Sequence, residues 1–436
     1  MSCRVVQCTL PVLLCCGPLL AAAPESITFR GARVHTVSGA IHDPGTLVVR
    51  AGKIVAVGPA GDVKLPEGTR IIDVSGKVII PGLVDSHSHL GVASRPLEKA
   101  NSDGNERSAP VQSIVRALDS LNPFDPGIRM ATAGGITTAN VMPGSGNVIG
   151  GQTIYVKLRG YSPEQMWLGT DGTYGGLKMA NGENPKRSYG SKGQAPVTRM
   201  KLAALQRTEF LKARDYQQKW QRFREQDDDD ASPPDRDLAL EPLVEVLEKR
   251  RTVHFHTHRA DDILTVLRLR REFGFDLVVQ HGTEAYKVID RIAAAGVPVS
   301  MTIVDSPGGK AEVVDFIEQC GAELTRAGVK VHVNTDDPVT ESRFFLRTTA
   351  ATVRGGLSPE VALRAITLYP AQALRLDNRV GSLAPGKDAD FVILSGAPFS
   401  VYTRVLETWI EGRKVFDLAD PRQRLYQEGG FMVQQT

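Results

Sequence analysis

Residues 78–90 read VIIPGLVDSHSHL, an apolar run that ends in Asp85, His87 and His89. Side chains two apart on a strand share one face, so both imidazoles can reach a single metal ion. Three later segments repeat the pattern of an apolar run closing on side chains of ligand type. VHFHTH carries His254, His256 and His258, LVVQHGTE carries His281, and VHVNTDDP carries Asp336 and Asp337.

The rhythm of the chain around these segments predicts the architecture. Residues 27–77 alternate short β-rich runs (ITFRGARVHTV, TLVVRAGKIVAVG, RIIDVSGKVI) with Gly and Asp turns, as a small sheet does. From Val78 onward, strand-like runs (GITTANVM, TIYVKLRG, TVHFH, DLVVQHG, VPVSMTI, VKVHVNT) alternate with amphipathic ones such as EAYKVIDRIAAAG. This alternation predicts parallel strands with helical crossovers, and ligands at strand ends predict the C-terminal face of a TIM (β/α)8 barrel. DADFVILS and VLETWIEGRKVFD then return to β character, which predicts a discontinuous small β-sandwich domain formed by the N- and C-terminal segments. The expected boundaries are a signal peptide at 1–23, the first part of the small domain at 24–83, the barrel at 84–377 and the second part at 378–436.

Composition narrows the class. A chain of 436 residues that is 42% hydrophobic and 23% charged can bury a large core, and a net charge of +3 gives no footprint for nucleic acid. Arg4, the apolar stretch 5–20 and Ala21 to Ala23 read as a secretory leader, interrupted by Pro11, Gly17 and Pro18 in a way that disfavours a membrane anchor. Four of the five cysteines lie in that leader, so Cys320 is left without an intrachain partner and reads as a core residue. A secreted or periplasmic location follows, with no stable membrane association after cleavage. The acidic run Asp227 to Asp230, next to Pro233 and Pro234, reads as a solvated loop and not as a metal site.

A histidine pair, two single histidines and an aspartate, in that order, resemble the metal ligands of the amidohydrolase superfamily. The resemblance runs from about residue 27 to 416, and includes GKVIIPGLVDSHSHL and VGSLAPGKDADFVIL as the two halves of its small domain. GGLKMANGENPKR, HTHRADDIL and NTDDPVTESR are most similar to its imidazolonepropionase-like secreted members. The resemblance implies two divalent metal ions, with zinc as the default because imidazole and carboxylate suit it. His87, His89 and Asp336 would hold the more buried ion, His256 and His281 the other. His254 would lie deeper, and Asp337 would either support the ligands from behind or cap the following helix. Lys178, as a carbamate, would bridge the two ions; Glu183 is the alternative bridge.

The implied reaction is hydrolysis of an amide, peptide or cyclic amide bond of a small molecule by a metal-activated hydroxide, with Asp336 as general base and acid. Arg187 and Arg259 are candidates for a carboxylate clamp, His258 for a substrate contact. PGSGNVIGG, residues 143–151, matches no phosphate loop and reads as a loop over the barrel mouth that offers Asn147 and Gln152 to substrate. Two rival readings are a mononuclear deaminase, which needs no bridge, and a non-catalytic secreted binding protein on the same barrel. A homo-oligomer is compatible with all three.

Overall fold

The computed structural model describes residues 26–169, 175–226, 230–304 and 308–432. The leader at 1–23, and the acidic run apart from Asp230, lie outside the described residues.

The first five strands, β1 (Ser26–His35), β2 (Ile41–Arg50), β3 (Lys53–Pro59), β4 (Arg70–Asp73) and β5 (Val78–Pro81), build one side of an outer sheet. The chain then lays down β6 (Leu83–Ser88), β7 (Ile136–Val141), β8 (Ile149–Gln152), β9 (Ile154–Lys157), β10 (Leu177–Ala180), β11 (Val253–Thr257), β12 (Leu277–His281), β13 (Val299–Thr302) and β14 (Val331–Asn334). Finally β15 (Phe391–Leu394), β16 (Val405–Ile410) and β17 (Arg413–Asp417) rejoin the outer sheet, where β15 pairs antiparallel with β5. Both ends of the chain thus share one sheet. Its ladders form a single eight-stranded sheet where two packed sheets were expected, and its own core gathers Phe29, Phe391 and Trp409. The last two rings stack at 5.6 Å.

The central strands are buried on both faces, as strands covered by helices must be. Alternation divides their side chains: Leu177, Met179, Val253, Phe255, Val331 and Val333 join the apolar core beneath the helices. Lys178, His254, His256, His332 and Asn334 therefore point the other way, into the space the strands enclose. β10 to β14 are parallel neighbours, as are β6 and β7. β14 meets β6 through Asp336 N–H to His87 O at 2.9 Å and His89 N–H to Asp337 O at 3.1 Å.

One position departs from the expected parallel order. β8 runs antiparallel to β10 and β9 antiparallel to β7. Only residues 142–148 separate β7 from β8, too few for a crossover, which needs about a dozen. The chain must turn back on itself there. The glycine-rich run is tied down and largely buried: Gly146 N–H donates to Asn105 Oδ1 at 2.7 Å, and a Cβ on Gly144 would strike the Asn105 side chain.

The outer sheet is bound to the central body by a buried ion cluster. Lys157 on β9 is fully buried, with Nζ at 2.5 Å from Asp388, 3.1 Å from Asp390 and 3.1 Å from Glu411. Burial alone would raise the Asp388 carboxyl, but hydrogen bonds from Lys157 and Lys53 hold it at about 2. Lys157→Met leaves the buried Asp390 carboxylate without its cation, while Asp388 keeps Lys53 and Arg379 and Glu411 keeps Arg159. It is expected to lower unfolding stability by about 3–5 kcal/mol in denaturant titration.

Candidate metal centre

Each ligand-type side chain arrives at or just past the C-terminal end of its strand: His87 near the end of β6 and His89 just after it, His256 on β11, His281 at the end of β12, and Asp336 two residues beyond β14. Asp85 fastens the first of these turns, accepting from the backbone N–H groups of His87 and Thr335 at 3.2 Å and from the Thr335 hydroxyl at 2.5 Å. His281 and Asp336 sit at φ 72° and 48°, left-handed conformations uncommon outside glycine, so the backbone is bent to aim these two side chains.

Hydrogen bonds fix which ring nitrogen is free. His89 Nδ1 lies 2.7 Å from Met142 O, an acceptor, and so carries the proton. His87 Nδ1 meets Gln280 Oε1 at 3.1 Å, while the other end of that amide reaches His254 Nδ1 at 3.1 Å and His254 Nε2 reaches the Tyr155 hydroxyl at 3.2 Å. His281 Nδ1 meets the Thr302 hydroxyl at 2.8 Å, which in turn donates to Asn334 Oδ1 at 2.8 Å. With Nδ1 engaged in this way, His87, His89 and His281 each keep Nε2 as the acceptor nitrogen, and the partners behind them fix the direction in which it points. Thr302→Val removes the acceptor for His281 and is expected to weaken metal affinity about 10- to 100-fold in a chelator competition, with the fold intact.

The freed nitrogens converge. His87 Nε2 and His89 Nε2 lie 3.2 and 3.1 Å from Asp336 Oδ1. His87, His89 and Asp336 can offer one donor atom each within 4.8 Å of one another, and His256, His258 and His281 form a second such group. Among the described residues, both His256 ring nitrogens and His281 Nε2 are buried without a hydrogen-bond partner. Unpaired polar atoms are costly in an interior, and a cation satisfies lone pairs and a carboxylate together. Burial, with nearby cations adding to it, pushes the His87, His256, His258 and His281 imidazoles well below their ordinary value and keeps them neutral, the ligating form. The residues present fit the metal that such a site implies.

Lys178 stands inside this cluster, fully buried, with Nζ at 2.9 Å from His87 Nε2 and 3.2 Å from Met142 Sδ. Burial brings its ammonium down to about 7. Glu183 is placed elsewhere: it starts the helix Glu183–Gly190 and its N–H donates to Glu312 at 3.0 Å. Among the described residues, no hydrogen bond or ion pair joins its carboxylate to the histidines.

A cavity of about 1200 Å³ opens over the cluster, lined by His258, His281 and Asp336 together with Arg187 and Lys310. His258 is held between Thr283, at 2.8 Å, and Lys310 Nζ, at 2.7 Å, and its ring stacks on His281 at 4.6 Å. Arg187 thus faces the mouth as expected, whereas Arg259 does not line it; its guanidinium pairs with Asp261 at 2.9 Å in an exposed position. Asn147 and Gln152 are also turned inward. The first is buried between Glu106 O and the Tyr189 hydroxyl, and the second donates to Ser113 O at 3.1 Å. Asp337 anchors the following turn through Arg95 at 2.9 Å and the Ser342 N–H at 2.9 Å. Cys320 is buried, and burial pushes its thiol up to about 12, far from a nucleophile. Lys310, Gln280 and Thr302 went unseen in the sequence reading; Lys310 follows a Gly-Gly turn with no ligand-like pattern around it.

Paired histidines, single histidines and an aspartate at successive strand ends, around a buried lysine and under an open cavity, define a metal-dependent hydrolase site. The chain belongs to the amidohydrolase family, whose profile matches residues 78–415. It is 30% identical over 401 residues to amidohydrolase tasK of Hapsidospora irregularis, covering 86% of this chain but 40% of that longer protein. It is 23% identical to the imidazolonepropionase of Fusobacterium nucleatum, over 83% of this chain and 87% of that one. The crystal structure of an amidohydrolase from Thermotoga maritima superposes with a TM-score of 0.85 at 38% identity, over 90% of this chain and all of that one. The chain accordingly carries the amidohydrolase fold, α/β and barrel-like with an additional β-domain, and spans less than half the length of the curated relative it matches over most of its own.

Proposed function

We propose that the enzyme cleaves the amide bond of a small molecule bearing a carboxylate, adding water to give a carboxylic acid and an amine. The observation that supports this most is the meeting of Nε2 lone pairs and the Asp336 carboxylate beneath a cavity whose mouth carries Lys310 and Arg187. His87, His89 and Asp336 would hold one divalent ion, and His256 and His281 a second, with Lys178 as the bridge; zinc suits these donors. Metal bound there would acidify water and polarise the amide carbonyl.

The residues themselves supply the rest. Asp336 accepts the proton from the attacking water and returns it to the departing nitrogen. Lys310 and Arg187 bind the substrate carboxylate and orient the amide over the cluster. Burial of Lys178 populates its neutral amine, the form that combines with carbon dioxide, and the resulting carbamate turns a buried cation into a buried anion between two metal sites. Export through the leader at 1–23 completes the proposal.

The second reading, a mononuclear deaminase, draws support from His87, His89 and Asp336, whose donor atoms lie within 4.8 Å of one another and form a ligand group that needs no bridge. Assay of the zinc-loaded enzyme against N-acyl amino acids, dipeptides and their methyl esters separates the readings. Amide cleavage that is lost on esterifying the carboxylate is the expected result. Ammonia release from aminated heterocycles without amide cleavage would favour the deaminase, and turnover of neither class would favour the binding protein.

A further inference from the structure

The cavity over the metal cluster is not lined by the central body alone. Phe399 and Val401, from the link between β15 and β16 in the outer sheet, complete its wall together with Phe344. This link is held in shape by its own hydrogen bonds: Arg404 N–H to Ser395 Oγ at 2.8 Å, the Thr403 hydroxyl to Ala397 O at 2.7 Å, and Ser400 N–H to Ala397 O at 3.1 Å. Phe344 is fixed as well, with the Arg343 and Arg347 guanidinium carbons 4.7 and 4.0 Å from its ring centre. Val401 is 80% exposed and lies at the cavity rim beside Phe399, so an apolar group entering the cavity would cover both.

The cavity lining comes from two parts of the fold. Lys310 and Arg187 come from the segment after β13 and the helix Glu183–Gly190, whereas Phe344, Phe399 and Val401 come from the segment after β14 and from the outer sheet; Arg347 and Arg354 line that second part too, the first against the Phe344 ring and the second paired with Glu318. Asp336 belongs to the same wall system and faces both groups of residues across one cavity. At about 1200 Å³ this cavity exceeds what a small amino-acid derivative fills.

We infer that Phe344, Phe399 and Val401 form an acyl-chain subsite, so that the outer sheet sets specificity and the enzyme takes N-acyl amino acids with a long apolar acyl group. The inference rests on the amide-hydrolase reading above. It commits the carboxylate end of the substrate to Lys310 and Arg187 and the acyl end to the three apolar side chains. The outer sheet then has a part in recognition besides its structural one.

The test uses ketomethylene analogues, in which a methylene replaces the amide nitrogen, of N-acetylglycine and N-decanoylglycine. Their binding to the zinc-loaded enzyme is measured by calorimetry, alongside hydrolysis of the parent amides. Wild type is expected to bind the long analogue at least about tenfold more tightly than the short one. Phe399→Ala and Val401→Asp are each expected to remove about tenfold of that preference and to leave the short analogue within about twofold. Equal binding of the two analogues by wild type, or an unchanged preference in both variants, overturns the subsite. Dimerisation of wild type that Val401→Asp abolishes, with the chain-length preference intact, also overturns it and makes the patch a contact between copies. If the preference behaves as expected but none of the parent amides is cleaved, the subsite stands and the amide-hydrolase reading falls.

Discussion

Asp336→Asn is expected to lower hydrolysis by about 10²- to 10⁴-fold, the range that a positioned proton acceptor contributes, and to lower metal affinity with it. Asparagine keeps the shape and tolerates the left-handed backbone at this position, φ 48°, better than most residues do. The backbone N–H bond from residue 336 to His87 O, at 2.9 Å, is also retained, so the junction between β14 and β6 survives. The loss should therefore appear in kcat with little change in thermal unfolding of the metal-free protein. Steady-state kinetics on the zinc-loaded variant, paired with a melting curve, checks both halves. Near wild-type turnover would remove Asp336 from the chemistry.

The second large effect concerns the bridge. Wild type is expected to bind two metals per chain and Lys178→Ala one, with a loss of at least about 100-fold in activity. Added acetate or propionate can enter the vacated space and supply the missing carboxylate oxygens, so partial recovery with short-chain acids is expected. Glu183→Ala should keep both metals, because no hydrogen bond or ion pair joins its carboxylate to the histidine cluster among the described residues. If instead Lys178→Ala binds metal and turns over normally while Glu183→Ala loses both, the bridge belongs to Glu183.

What the sequence made legible follows from the geometry of strands. A strand presents alternate residues to one side, so DSHSH, HFHTH and VNTDD announce ligands wherever the preceding run is apolar enough to be buried. The return of β character after residue 390 likewise showed that the chain ends would share a sheet. The reversed segment of β8 and β9 was missed because its residues have ordinary strand composition; the short spacing of 142–148 was the available signal. Arg259 was misjudged because its partner, Asp261, lies two residues on and competes locally for the guanidinium. Asn147 and Gln152 were misjudged for the opposite reason. Their partners Glu106, Tyr189 and Ser113 come from distant segments, and no local pattern announces such contacts. The orienting residues Gln280 and Thr302 are hidden in the same way, since an amide or hydroxyl in an apolar strand acquires its meaning only from the imidazole it meets.

The most direct test of the account is an anomalous-diffraction map of the enzyme crystallised with zinc. Two peaks are predicted, one against His87, His89 and Asp336 and one against His256 and His281, with density for a carboxylated Lys178 between them. A map in which zinc-loaded crystals show no peak within reach of these side chains would contradict the assignment of this cluster as the metal centre.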